Sequence, residues 1–319
     1  MYMVTPAIEI ENLHKIYEPR GKPAVRALAG ISLTVQPGQI FGLLGLNGAG
    51  KTTTLKILTT LLRPTSGVAR VQGFDVVTHP LEVRKQVCVV LQEDAVDQYL
   101  TVRDNLRTYG RFHLLDRREI EHRCERVMEH FGLREHRQYQ AIDLSGGLKR
   151  RLQVAKVFMV DKPVVFLDEA TTGMDTLNKR TTMQAIREEA RRGRTIVLTT
   201  HVLEEAEELC DAVAIINRGS LVAEGSVEMV KAMGLRFVHV SLLFEKVGPA
   251  ALRLVKKLNP LKTETRNNAV ELTLRDRAGV LNALAALRRA KGLVSFEVTG
   301  ATLEDVYVDL LQREEREAS

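Results

Sequence analysis

Eight consecutive residues, Gly45-Leu46-Asn47-Gly48-Ala49-Gly50-Lys51-Thr52, have the types and spacing of a loop that cradles phosphate. Glycine lets successive backbone N–H groups turn inward toward phosphate oxygens. The apolar run Ile40–Leu44 before the loop reads as a strand. Lys51–Leu62 after it reads as a helix, whose N-terminus adds partial positive charge. Lys51 is placed to reach the outer phosphates of a nucleotide. Thr52, followed by Thr53, offers a hydroxyl to Mg²⁺. The loop and its context define a nucleotide site, and leave the class of P-loop protein open.

A second constellation is Val164-Val165-Phe166-Leu167-Asp168-Glu169, an apolar strand that ends in two carboxylates. Carboxylates at the end of a buried strand are costly unless they meet a cation or donors. Asp168 can hold Mg²⁺ as the second acidic element of the nucleotide site. Glu169 points to the other side of the strand end. It can face an attacking water and act as general base.

These side chains need a scaffold. Ile8–Leu13 and Ile31–Val35 alternate like strands around the turn-rich Glu18–Pro23. Val68–Val71 and Val87–Leu91 are further short strands. Val164–Leu167, Thr195–Thr199 and Ala212–Ile216 fit central strands covered on both faces, with helices at Asn178–Arg192 and Leu203–Cys210 between them. Val102–Leu133 forms a helical block. After Asn217–Gly219 the character changes. Strands are expected at Phe237–Phe244, Ala269–Arg275 and Leu293–Val298, and helices at Ala250–Leu258, Gly279–Lys291 and Leu303–Leu311. The fold class is α/β, with a first domain over residues 1–225, a helical part at about 93–160, and a small α/β domain over 226–319.

Composition narrows the partners. A net charge of +6 suits an anionic partner, but the basic residues are dispersed and no aromatics interleave with them, so direct nucleic-acid binding is not expected. The three cysteines, Cys88, Cys124 and Cys210, form no zinc pattern and suit reduced thiols in the cytosol. The start MYMVTPAIEIENL lacks a basic region and apolar core, so no signal peptide is expected. No apolar run approaches the roughly 18 residues of a membrane helix.

Between the two constellations lies Leu144-Ser145-Gly146-Gly147-Leu148-Lys149-Arg150-Arg151, which resembles the LSGGQ signature of ABC ATPases. The other elements of that family fall in order. Gln92 is similar to the Q-loop glutamine, Thr172–Asp175 to the D-loop, His201 to the switch histidine, and Tyr17 to the aromatic that stacks on adenine. The resemblance covers Ile8–Gly225. It implies a RecA-like core sheet, an antiparallel β subdomain and a helical signature subdomain. Two positions depart from the family: Leu148 replaces the usual signature Gln, and Ala170 the usual Pro after the acidic pair.

The resemblance also implies a mechanism. Two such domains pair head to tail, and each ATP lies between Lys51 of one and Ser145, Gly146 and Gly147 of the other; Asp175, of the D-loop, counts among the nucleotide-binding residues. Thr52, Gln92 and Asp168 would bind Mg²⁺, Glu169 would polarise water, and His201 would contact the γ-phosphate. The helical block would receive a separate membrane-spanning permease, which places the chain in the cytoplasm, peripheral on the inner face of the cell membrane. The pairing would be a homodimer or one with a related ATPase subunit. Thr302-Leu303-Glu304-Asp305-Val306-Tyr307 resembles the "LEDVF" ending of daunorubicin-resistance-type export ATPases. The competing readings are an ABC ATPase acting on ribosomes or nucleic acid, a P-loop kinase or GTPase, and a hydrolysis-dead binding subunit. One cassette, no inserted coiled coil, the signature and an intact Glu169–His201 pair weigh against them.

Overall fold

The structure, a computed structural model, describes residues 5–18, 20–21, 23–91, 95–233, 238–274 and 292–317. The expected Q-loop residue Gln92 and the expected helix Gly279–Lys291 lie outside the described residues. The chain divides into two compact units, Met1–Glu224 and Gly225–Ser319.

The first unit begins with strands β1 (Ile8–Tyr17), β2 (Val25–Val35) and β3 (Ile40–Leu44), then helix α1 (Lys51–Leu58). Strands β4 (Ser66–Val71) and β5 (Phe74–Asp75), helix α2 (Pro80–Gln86) and strand β6 (Val87–Val90) follow. The helical region holds α3 (Val102–Phe112), α4 (Arg117–His130) and α5 (Gly146–Val157). Then come β7 (Val164–Asp168), α6 (Thr176–Arg191), β8 (Thr195–Thr200), α7 (Leu203–Leu209), β9 (Ala212–Asn217) and β10 (Ser220–Ser226).

Two sheets share one core. The first has the order β2-β1-β4-β5, and the second β10-β9-β3-β8-β7-β6. In the second, β3 runs parallel to both β8 and β9, and β7 runs parallel to both β6 and β8. Every residue of β3, β7 and β8 is buried. That explains why their sequences do not alternate, since strands covered on both faces have no polar face. Three neighbouring parallel strands thus deliver the phosphate loop, Asp168 and the segment before His201 to the same sheet edge, where ligands gather in open α/β sheets.

Strand β2 starts six residues before the expected Ile31, because Val25–Leu28 pair with Lys15–Tyr17 in an antiparallel hairpin. In the helical region, Arg103 and Arg107 of α3 both bind Glu121 of α4. Phe131 and Phe158 stack with centroids 5.3 Å apart, packing the end of α4 against the end of α5.

The second unit holds α8 (Val227–Met233), β11 (Val238–Phe244), α9 (Pro249–Lys257), β12 (Lys262–Arg266), β13 (Ala269–Leu274), β14 (Leu293–Gly300) and α10 (Leu303–Glu317). Its sheet has the order β12-β13-β11-β14, all antiparallel. Val238, Val240, Leu242 and Phe244 alternate onto one face and pack with Val255, Val270 and Leu272. The C-terminal motif is a reciprocal helix cap. Asp305 N–H donates to Thr302 Oγ1 (3.2 Å), while Thr302 N–H donates to Asp305 Oδ2 (2.8 Å). The same carboxylate lies 2.6 Å from His239 Nε2 on β11. Leu303, Val306 and Tyr307 of the motif are buried.

Candidate active site

The phosphate loop leaves β3 through Gly45 at φ +152°, where a Cβ would sit 2.3 Å from the Ile216 carbonyl oxygen. Gly50 caps α1 at φ +115°, and a Cβ there would meet the Ala27 carbonyl at 2.7 Å. Only glycine fits both places, so the neighbouring strands dictate these two motif positions. Lys51, at 5% exposure, folds its amine back so that Nζ donates to the carbonyls of Gly45 (2.8 Å) and Leu46 (3.1 Å). Burial pushes its pKa down, and the nearby Glu169 and Asp168 carboxylates oppose the shift.

A cleft of about 340 Å³ opens over this loop, lined by Ala27, Asn47, Gly48, Gly50, Lys51, Thr52, Thr53 and Glu169. It is polar, has an ammonium and a helix N-terminus at its floor, and suits a polyphosphate. Tyr17, at the end of β1, brings its Oη within 3.4 Å of Thr53 Oγ1, and its ring is partly exposed. Ala49 lies behind the loop, buried, and Leu46 and Asn47 are exposed on it.

Asp168 is 1% exposed at the end of β7. Thr199 Oγ1 donates to its Oδ1, and Thr52 Oγ1 lies 3.3 Å and 3.5 Å from its two oxygens. A buried carboxylate beside a threonine hydroxyl is a hard oxygen pair of the kind Mg²⁺ takes, with water and phosphate completing the shell. Among the described residues no group of three or more His, Cys, Asp or Glu could hold a metal. The pair Thr52 and Asp168 fits such a cation.

Glu169 has φ +49°, so the chain turns sharply one residue after Asp168. Its N–H donates to the Thr199 carbonyl (3.1 Å) and lies 3.2 Å from Thr199 Oγ1. Its carboxylate lies 3.0 Å from His201 Nδ1 and 3.4 Å from Thr172 Oγ1. The corner aims Glu169 into the cleft while Asp168 stays buried. Thr199 anchors both residues, and the sequence does not single it out: β8 carries threonine at both ends, Thr195, Thr199 and Thr200.

Ser145 caps α5, its Oγ accepting from the Leu148 N–H at 3.3 Å. No atom lies within 4 Å of where a Gly146 Cβ would be, so the helix tip is open. Gly147 packs on Met174 and Asn178, where a Cβ would stand 3.6 Å and 3.4 Å from the nearest atoms. Asp175 caps α6 by accepting from Asn178 N–H at 2.9 Å, and that bond with the Asn178 side chain holds its carboxyl below the ordinary range. Arg151, buried, joins the two tips through the Asn178 side chain. Ser145, Gly146, Gly147 and Asp175 do not line the cleft over Lys51. The structure thus brings together Lys51, Thr52, Thr53, Asp168, Glu169 and His201, with Tyr17 at the rim, and leaves the Ser145–Gly147 tip apart from them.

Fold and site define the class, a P-loop protein that binds ATP. The ABC transporter family model matches residues 28–172. A "Nod factor export ATP-binding protein I" of Cupriavidus metallidurans is 35% identical over 98% of this chain and 100% of its own length. A "Daunorubicin/doxorubicin resistance ATP-binding protein" of Streptomyces peucetius is 34% identical over 96% of this chain and 92% of its own. A solved "ATP binding subunit of ABC transporter" aligns with a TM-score of 0.63 and 26% identity, over 71% of this chain and 92% of that one. The chain belongs to the ABC transporter family, as an ATP-binding and ATP-hydrolysing subunit. No helix among the described residues is long and apolar enough to cross a membrane.

Proposed function

We propose that this chain powers export through a separate membrane-spanning permease, lying peripherally on the cytoplasmic face of the membrane. The observation that carries the reading is full-length similarity, second unit included, to proteins named for Nod factor export and daunorubicin resistance. The capped Thr302–Tyr307 motif, packed into the core of that unit, supports it. The same observation favours transport over action on ribosomes or nucleic acid.

In this reading Lys51 exchanges its two carbonyl partners for β- and γ-phosphate oxygens. Thr52 and Asp168 would hold Mg²⁺, which would supply positive charge against the phosphates; Gln92 is proposed as a further ligand on the motif alone. Tyr17 stacks on the adenine. Glu169 takes the proton of the attacking water, and His201 orients Glu169 and contacts the γ-phosphate. The open Ser145–Gly147 tip serves the nucleotide of a second subunit, identical or related, with Asp175 at the junction. A helix N-terminus facing a γ-phosphate gives ATP the role of a bridge between subunits.

The test is ATPase activity of the purified chain with and without membranes that contain a candidate permease. Stimulation by the permease supports the reading. Equal activity with empty membranes, together with stimulation by ribosomes or DNA, overturns it.

A further inference from the structure

Helix α5 carries two consecutive arginines behind its Ser145 tip, and the mechanism so far uses neither. Arg150 lies against the corner that carries the catalytic carboxylates. Its Nη2 donates to the main-chain carbonyl of Asp168 and, at 3.0 Å, to that of Glu169. Its Nη1 donates to the carbonyl of Leu91 at 3.0 Å and to Gln153 Oε1 at 2.7 Å. Gln153, 2% exposed, donates to the same Leu91 carbonyl at 3.1 Å. One guanidinium therefore joins the end of β7, the residue after β6, and the helix whose N-cap is Ser145.

The corner needs such a restraint. Glu169 sits at φ +49°, a conformation costly for a residue with a side chain, and it must be held by its surroundings. The next residue is Ala170, which has no ring to fix its own φ. Nη2 holds the carbonyls of Asp168 and Glu169 while Nη1 holds that of Leu91, and the planar fork fixes the two nitrogens in one geometry. An ammonium presents a single nitrogen and has no such fork.

We propose that Arg150 is a positioning residue for the hydrolytic step: by clasping the carbonyls of Asp168 and Glu169 it fixes where the Glu169 carboxylate points. The clasp also makes the Ser145 helix and the carboxylate corner of one chain move together. A subunit whose tip is drawn onto a partner's nucleotide would thereby set its own Glu169. The proposal rests on Glu169 acting as general base.

The experiment compares wild type, Arg150→Met, Arg150→Lys, Glu169→Gln and the double variant Arg150→Met/Glu169→Gln. It measures kcat, KM, ATP affinity and Tm of the full chain. For Arg150→Met the expected result is kcat lower by about 10- to 100-fold, with ATP affinity and KM within about twofold. Arg150→Lys, which keeps the charge but only one nitrogen and no fork, falls between. In the Glu169→Gln background Arg150→Met causes no further loss, because both act through one carboxylate. Normal kcat in Arg150→Met, or a full additional loss in the double variant, overturns the proposal. If Arg150→Met does not fold, Arg150→Lys decides: kcat lowered at unchanged affinity supports the clasp, and wild-type kcat overturns it. Normal turnover in Glu169→Gln instead removes the underlying reading of Glu169.

Discussion

His201 Nδ1 lies 3.0 Å from Glu169 Oε1, joining two groups 32 residues apart into one hydrogen-bonded unit. A carboxylate only accepts, so the ring proton on this side belongs to Nδ1. Nε2 is then the ring atom left to face the substrate. His201→Ala should lower kcat by about 10- to 100-fold with little change in ATP affinity. His201→Gln, which can still donate to Glu169, should retain more activity than His201→Ala. Steady-state ATPase assays on the two variants check the order.

Lys51 gives a prediction about pH as well as binding. Burial lowers its folded pKa beneath the ordinary 10.5. Between the two values the unfolded chain holds more protons than the folded one, so stability rises with pH across that window. The ATP-free protein should gain Tm relative to Lys51→Met as pH rises from the lowered folded value toward the ordinary 10.5. The variant should also lose stabilisation by ATP. A parallel pH dependence in the two proteins contradicts the buried charge.

The cysteines should be chemically silent. Cys88, Cys124 and Cys210 are all buried, and burial pushes the thiols of Cys88 and Cys124 up to about 12 and that of Cys210 up as well. A thiol reagent at about pH 8 should find none in the native chain and all three in denaturant. Fast labelling of the native protein contradicts the packing.

The C-terminal motif predicts a stability effect without a catalytic one. Burial pushes Asp305 up, but hydrogen bonds from His239 and Thr302 win and hold its carboxyl below the ordinary range. That stabilisation is present above the ordinary 3.8 and is lost as pH falls through the lower folded value. Asp305→Ala should cost about 1–2 kcal/mol by removing the cap. Denaturant unfolding checks the loss, and ATPase activity of the soluble chain should be unchanged.

The phosphate loop and acidic strand are legible in the sequence because their chemistry is local. Gly45 and Gly50 are forced by neighbouring carbonyls, and β3, β7 and β8 advertise burial by apolar residues that do not alternate with polar ones. What escaped was held by tertiary contact. Strand β12, Lys-Thr-Glu-Thr-Arg, has no apolar residue, yet it pairs along β13 through the Asn267–Asn268 turn. Strand β5 is two residues long and exists through its pairing with β4. Thr199 and Arg150 carry no spacing signal, because each serves the site through partners 31 and 18 residues away.

Closure of two Ser145 tips over ATP, as proposed, is open to measurement by sedimentation of the Glu169→Gln variant. With ATP and Mg²⁺ it should pass from monomer to dimer, alone or with its related partner subunit. Adding Ser145→Arg should abolish the dimer while leaving ATP bound. A dimer that forms equally without ATP, or that survives Ser145→Arg, would contradict the account.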